Sequence, residues 1–158
     1  MHLAKAQVVK KPTQLATVSA SLYVAMFFVV AVVLQLFAFE DYPSVIDGYN
    51  LPLLTGLSLP LAAVIVSLEV LAIPYLLWMK LSPLMRLVSF GSGWLIILYW
   101  LAVGMWQSTA DFQIGNAGLF GAKVVLPQGW WLVSYSAILL ILMAYVTWTS
   151  KPLVKPTR

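Results

Sequence analysis

The sequence predicts an all-α integral membrane protein: one four-helix bundle spanning residues 1–158, with the N- and C-termini both inside (N-in/C-in). Three observations lead there. Hydrophobic residues make up 62% of the chain and charged residues 9%, where soluble domains run near roughly a half and a quarter. Four stretches carry no charge at all: Pro12–Phe39, Gly48–Leu68, Leu87–Ala110 and Val124–Ser150. Each exceeds the roughly 20 residues a helix needs to cross the hydrocarbon. The basic residues also fall on one side of the resulting frame: Lys5, Lys10, Lys11, Lys80, Arg86, Lys151, Lys155 and Arg158 against Lys123 alone. That bias places the ends and the short hairpin in the cytoplasm. Such a composition excludes a soluble enzyme, a disordered tail and a nucleic-acid binder, and the net charge of +4 gathers at membrane ends, not on one groove.

Lipid offers backbone groups no hydrogen-bond partner, so spans are helices or closed barrels. Uninterrupted runs such as Leu22–Leu34 lack the alternation of barrel strands. Helix one is expected at about 15–39. Lys5, Lys10 and Lys11 before an apolar run resemble the start of a secretory signal, but the run is too long and Phe37-Ala38-Phe39 is a poor cleavage site, so an uncleaved span is expected. Loop one, Glu40–Gly56, mixes acids with aromatic residues. Pro43 suits the first turn of a short helix, Val45, Ile46 and Tyr49 share a face that could rest on the membrane interface, and Gly48 is its expected stop; the other reading is an irregular polar linker.

Helix two is expected at 57–79, with Pro60 in its first turn and Pro74 far enough inside to kink it and free the carbonyl near Val70. The short connection Lys80–Met85 makes an antiparallel hairpin with helix three, at 86–107. Small residues four apart, Ala63/Ser67, Ser89/Gly93 and Gly104/Ser108, permit close helix approach. Loop three, Ser108–Gln128, carries Gly115, Gly118 and Gly121, which suggest tight turns at positive φ. A loop of this length in a small membrane protein is expected to bind a partner or to fold back as a plug over the mouth of the bundle. Helix four is expected at 129–149, followed by a short basic tail. Trp78 and Trp148 then mark the inner interface, and Trp106, Trp130 and Trp131 the outer one.

The chain offers little chemistry. It has no cysteine and one histidine, His2, so thiol catalysis, disulfides and a histidine metal cluster are excluded and no cofactor or metal is expected. Glu69 is the one charged-type residue inside a span. Placing a carboxylate there costs on the order of 3 kcal/mol, so it should face the bundle interior as the neutral acid and donate a hydrogen bond. Depth counting makes Tyr99 its expected partner, with Tyr135 and Ser136 less level. Glu69 and Tyr99 then form either a proton or quinone contact or a clasp that fixes helix pairing. Gln35, near the outer end of helix one, is expected close to water in a structural role.

Taken in order, Tyr49-Asn50-Leu51-Pro52 after an acidic loop, Glu69 within Ser67-Leu68-Glu69-Val70-Leu71, a basic hairpin, and Ala117-Gly118-Leu119-Phe120-Gly121 before the last span form a pattern. It resembles the MauE branch of the DoxX-like membrane proteins over nearly the whole chain. The family's third outer loop typically reads Cys-Gly-Cys-Phe-Gly; here the glycines and the phenylalanine match, and Ala117 and Leu119 replace both cysteines. The resemblance implies a four-helix inner-membrane protein that works with a periplasmic thioredoxin-like or redox-enzyme partner in maturing methylamine dehydrogenase. Without a thiolate this chain cannot exchange disulfides itself, which leaves a non-catalytic accessory role, with residues 117–121 as the partner-binding loop and Tyr49 and Pro52 marking outer loop one. Two other readings stand beside it. In the first, as the related DoxD proteins imply, the chain is a membrane subunit of a quinol-linked oxidoreductase, with Glu69, Tyr99 and Trp100 lining a pocket. In the second it is a small proton-coupled transporter centred on Glu69, against which the lack of further intramembrane charges and of an inverted repeat weighs. The bilayer is the expected surrounding in all three.

Overall fold

The computed structural model describes residues 12–50, 56–109 and 115–150. These residues form five helices, α1 (Pro12–Phe37), α2 (Tyr42–Asp47), α3 (Ser58–Leu76), α4 (Pro83–Thr109) and α5 (Trp130–Ser150), with no strand among them. All but α2 are long and apolar enough to cross a membrane, so the chain is a helical multi-pass membrane protein. Around the bundle, α3 packs on α4, α4 on α5, and α1 closes the ring against α3 and α5, while α2 rests on α3 at the end we call outer. The termini beyond residues 12 and 150, with most of the basic residues, and Pro52 of outer loop one lie outside the described residues.

The helix ends differ from those expected by up to three residues, each for a local reason. α4 begins at Pro83, not 86: Ser82 Oγ accepts from the Met85 N–H at 3.3 Å, a side-chain cap, and Pro83 takes the next position, where its missing N–H costs nothing. α3 stops at Leu76, not 79. Trp78 turns left-handed at φ 58°, and the Trp78 and Met79 N–H groups fold back onto the carbonyls of Tyr75 and Pro74 at 3.2 and 3.1 Å. This is the terminating motif that usually carries glycine at the left-handed position. In loop one the short helix forms, with Pro43 in its first turn and Gly48 as its C-cap. Its apolar face does not lie on the membrane interface, however: Tyr42, Ile46 and Tyr49 are buried and join the core of the bundle.

Pro74 lies inside α3, which continues past it to Leu76, and a side chain of the neighbouring helix bonds the backbone beside it. Ser89 of α4 accepts from the Tyr75 N–H at 3.0 Å and donates to the Leu71 carbonyl, touching both a donor and an acceptor of the α3 backbone in the turn that holds Pro74. Close approach makes this possible: a Cβ on Gly93, one turn further along α4, would lie 2.9 Å from Met143 Cε and 3.5 Å from Ala72 Cβ. Ser21 of α1 donates to the Leu76 carbonyl, and Thr17 to Thr149 at 3.0 Å, tying α1 to α3 and α5 at the inner end. Gly104 plays the matching part at the outer end, where a Cβ would meet Val133 N at 3.0 Å.

Candidate functional site: a buried carboxyl beneath an infolded loop

Side chains on a helix lean toward its N-terminus, and the N-terminus of α3 is its outer end. The Glu69 carboxyl therefore rises from mid-helix toward the outer half of the bundle, where it is fully buried. Its hydrogen bonds do not involve Tyr99. Glu69 Oε1 accepts from Gln35 Nε2 of α1 at 3.3 Å and from Trp100 Nε1 of α4 at 3.2 Å. Gln35, expected near water, is also fully buried, because loop three descends over it. Gln35 Nε2 donates a second bond, at 2.9 Å, to the carbonyl of Leu119. One amide thus joins the buried carboxyl to the loop that covers it.

The shape of loop three is fixed by its own hydrogen bonds. Asn116 organises it: Oδ1 accepts from the N–H groups of Gly118 and Leu126 at 3.0 and 3.3 Å, while Nδ2 donates to the Gly121 carbonyl at 3.0 Å. The Ala117 N–H donates to the Leu126 carbonyl at 2.9 Å, closing the base of the loop. Gly118 and Gly121 have the left-handed φ values of 73° and 76° that the glycine spacing suggests, whereas Gly115, expected to share them, does not. Gly118 and Gly121 also sit where no side chain fits. A Cβ on Gly118 would lie 1.8 Å from the Tyr49 hydroxyl, and one on Gly121 would lie 3.0 Å from the Cα of Gln35. The Tyr49 hydroxyl donates to the Ala117 carbonyl at 2.8 Å, and Trp106 Nε1 donates to the Tyr49 carbonyl at 3.1 Å. On the surface, Lys123 and Asp41 pair at 3.0 Å between loops three and one.

The expected docking loop is therefore turned inward. Ala117, Gly118, Leu119 and Gly121 are buried, and Phe120 is half-buried against Phe27, with ring centroids 5.5 Å apart. What the segment does is cap the bundle, the plug-like alternative of the sequence reading.

Four buried polar atoms around the carboxyl have no hydrogen-bond partner among the described residues: Glu69 Oε2, Gln35 Oε1 and the hydroxyls of Tyr42 and Tyr99. They belong to α3, α1, α2 and α4 in turn. Burial pushes the Tyr42 phenol well above its ordinary value, and the charges of Tyr49, Glu69 and Tyr99 act in the same direction. Burial likewise raises Tyr49, with Tyr99 adding to it. The Tyr99 ring stands edge-on to Trp100 with centroids 5.1 Å apart. Such a set offers two carbonyl-type acceptors and two hydroxyls that can donate or accept, which suits a small hydrogen-bonding group or a proton. No cluster of His, Cys, Asp and Glu able to hold a metal occurs among the described residues.

Sequence reasoning placed Glu69 inside the bundle and, in the quinol reading, set Trp100 beside it; it put Gln35 near water, and it missed Tyr42 and Asn116. Asn116 alone carried a local signal, since asparagine two residues before a glycine commonly caps its own turn. No family model, curated protein or solved structure matches this chain.

Proposed function

We propose that the chain is a non-catalytic, inner-membrane accessory protein of the MauE/DoxX redox-associated type. With both termini cytoplasmic, its α2 end faces the periplasm, where it supports the maturation or assembly of a redox enzyme such as methylamine dehydrogenase with a thioredoxin-like partner. One observation carries this reading. The residues that bear the resemblance are far apart in the chain, at Tyr49, Glu69 and 117–121, yet they meet in one buried assembly: Tyr49 holds Ala117, Gly118 fits only against Tyr49, and Gln35 links Leu119 to Glu69. A pattern of unrelated coincidences has no reason to converge. With the loop infolded, the partner meets the exposed rim around Asp47 and Val125, not Phe120. Photo-crosslinking from Asp47 or Val125 in intact cells should capture a periplasmic redox protein, and deleting the gene should lower the yield of that mature enzyme. Normal maturation in the deletion strain contradicts the proposal.

A second reading, a membrane subunit of a quinol-linked oxidoreductase, draws on a different observation. Glu69, Trp100 and Tyr99 do lie together, with Glu69 Oε2 and the Tyr99 hydroxyl free to meet a ligand's polar atoms. Any redox centre would come from other chains. Co-purification with a haem- or flavin-bearing subunit, and loss of its quinol turnover in Glu69→Gln, supports this reading; full turnover in that variant removes it.

A further inference from the structure

A cleft of about 150 Å³ lies between loop three and the outer turns of α5. Its floor is made by Ala117, Leu119 and Leu132, all at most 2% exposed, and its walls by Phe120, Leu126 and Tyr135. Pro127 and Trp131 stand at the mouth, and Trp131 is 72% exposed. The face of α5 that continues from the mouth is apolar and open, with Ile138 and Ile141 exposed, and belongs to one of the four spans. The cleft is thus continuous with the surface this helix presents to lipid. An apolar cavity of this size accommodates a benzene-sized molecule, on the order of six carbons.

We infer that the cleft is a lipid-tail site: it holds the upper segment of one acyl chain of a phospholipid in the leaflet on the α2 side. A flexible linear chain entering from the side suits the open mouth, the largely apolar lining and the position among the first turns of a membrane span. Because bulk lipid is as apolar as the cleft, the site gains from close packing and not from leaving water. Selection therefore follows the shape of the chain, and the headgroup contributes little. The site also has a consequence for the buried carboxyl. Ala117 and Leu119, which line the cleft, are the same two residues whose carbonyls accept from Tyr49 and Gln35. A tail in the cleft therefore touches the loop that Gln35 ties to Glu69.

The experiment uses the full chain in phospholipid nanodiscs doped with a phospholipid carrying a photoactivatable diazirine on its acyl chain, with labelled peptides identified by mass spectrometry. Labelling should concentrate in residues 117–135. It should fall stepwise in Leu126→Phe and Leu126→Trp, at least fivefold in the latter, while Ile141→Trp on the open face of α5 leaves it unchanged. The smaller Leu126→Phe keeps the test valid where Leu126→Trp fails to fold. Unlabelled phospholipids of one chain type should compete equally whatever their headgroup. Labelling that ignores both Leu126 variants, competition that follows headgroup charge, or stronger competition by an isoprenoid alcohol overturns the inference.

Discussion

The Ser89 joint and the Glu69 assembly pose the same physical problem, polar groups inside a membrane bundle, and solve it differently. At the joint, Pro74 withdraws one N–H from the α3 ladder, and a single hydroxyl from α4 bonds both the Tyr75 N–H and the Leu71 carbonyl. At the assembly, Glu69 is joined by Gln35 and Trp100 on one oxygen only, and four polar atoms have no partner among the described residues. A buried polar group left unpaired costs about 1–3 kcal/mol. The joint thus serves helix packing, whereas the assembly is more polar than packing requires. That difference separates a bond that supports helix packing from a buried cluster with polar atoms to spare.

The largest expected effect sharpens the link between loop and assembly. Gly118→Ala places a methyl group on the Tyr49 hydroxyl and an L-residue at φ 73°, which should cost about 2–5 kcal/mol. Thermal unfolding in detergent should show it as a lowered Tm, or as failure to accumulate. Ser89→Ala should cost about 1–3 kcal/mol, because Leu71 and Tyr75 lose their shared partner. Equal stability of that variant would mean that the α3 backbone beside Pro74 needs no partner from α4. Next comes a paired test of Glu69. Glu69→Gln keeps an oxygen for Gln35 and Trp100 and should stay within about 1 kcal/mol of the wild type. Glu69→Leu strands both donors and should cost about 1–3 kcal/mol; equal melting of the two variants breaks the comparison.

The cap also has a pH signature. Tyr42 and Tyr49 titrate above their ordinary value of 10 when folded, because burial penalises the phenolate. Folded values raised above unfolded ones mean that this contribution to stability is complete below pH 10 and is lost as pH climbs through the folded values. Ultraviolet titration should find phenols that resist ionisation at pH 10 in the folded protein and ionise normally in denaturant. The smallest effect belongs to Lys123→Ala. Its partner is exposed Asp41, and side chains about 60% exposed pair weakly, so less than about 1 kcal/mol should be lost.

The spans were legible because apolar length and charge placement are properties of contiguous sequence. Local chemistry also predicted α2 from Pro43 and Gly48, and the left-handed turns from Gly118 and Gly121. The start of α4 could have been read from Ser82-Pro83, a cap followed by the residue that tolerates the first turn. Trp78 at positive φ could not, since its residue type argues against that conformation. The partner of Glu69 was misassigned for a geometric reason. Counting Cα depth ignores the lean of helical side chains toward the N-terminus, which lifts the carboxyl toward Gln35 and Trp100. The burial of Gln35 was invisible because it depends on a loop more than 80 positions away in the chain.

The central claim is that the Glu69–Gln35 pair holds loop three inside the bundle. The absence of native cysteine makes a direct test simple: single cysteines at Leu119 and at Val125, labelled in membranes with a water-soluble maleimide. Leu119 is 2% exposed and Val125 66%. The account predicts that Val125→Cys labels quickly, that Leu119→Cys is protected, and that adding Gln35→Leu releases the protection. Equal labelling at both positions, or a Leu119→Cys thiol that stays protected after Gln35→Leu, would contradict it.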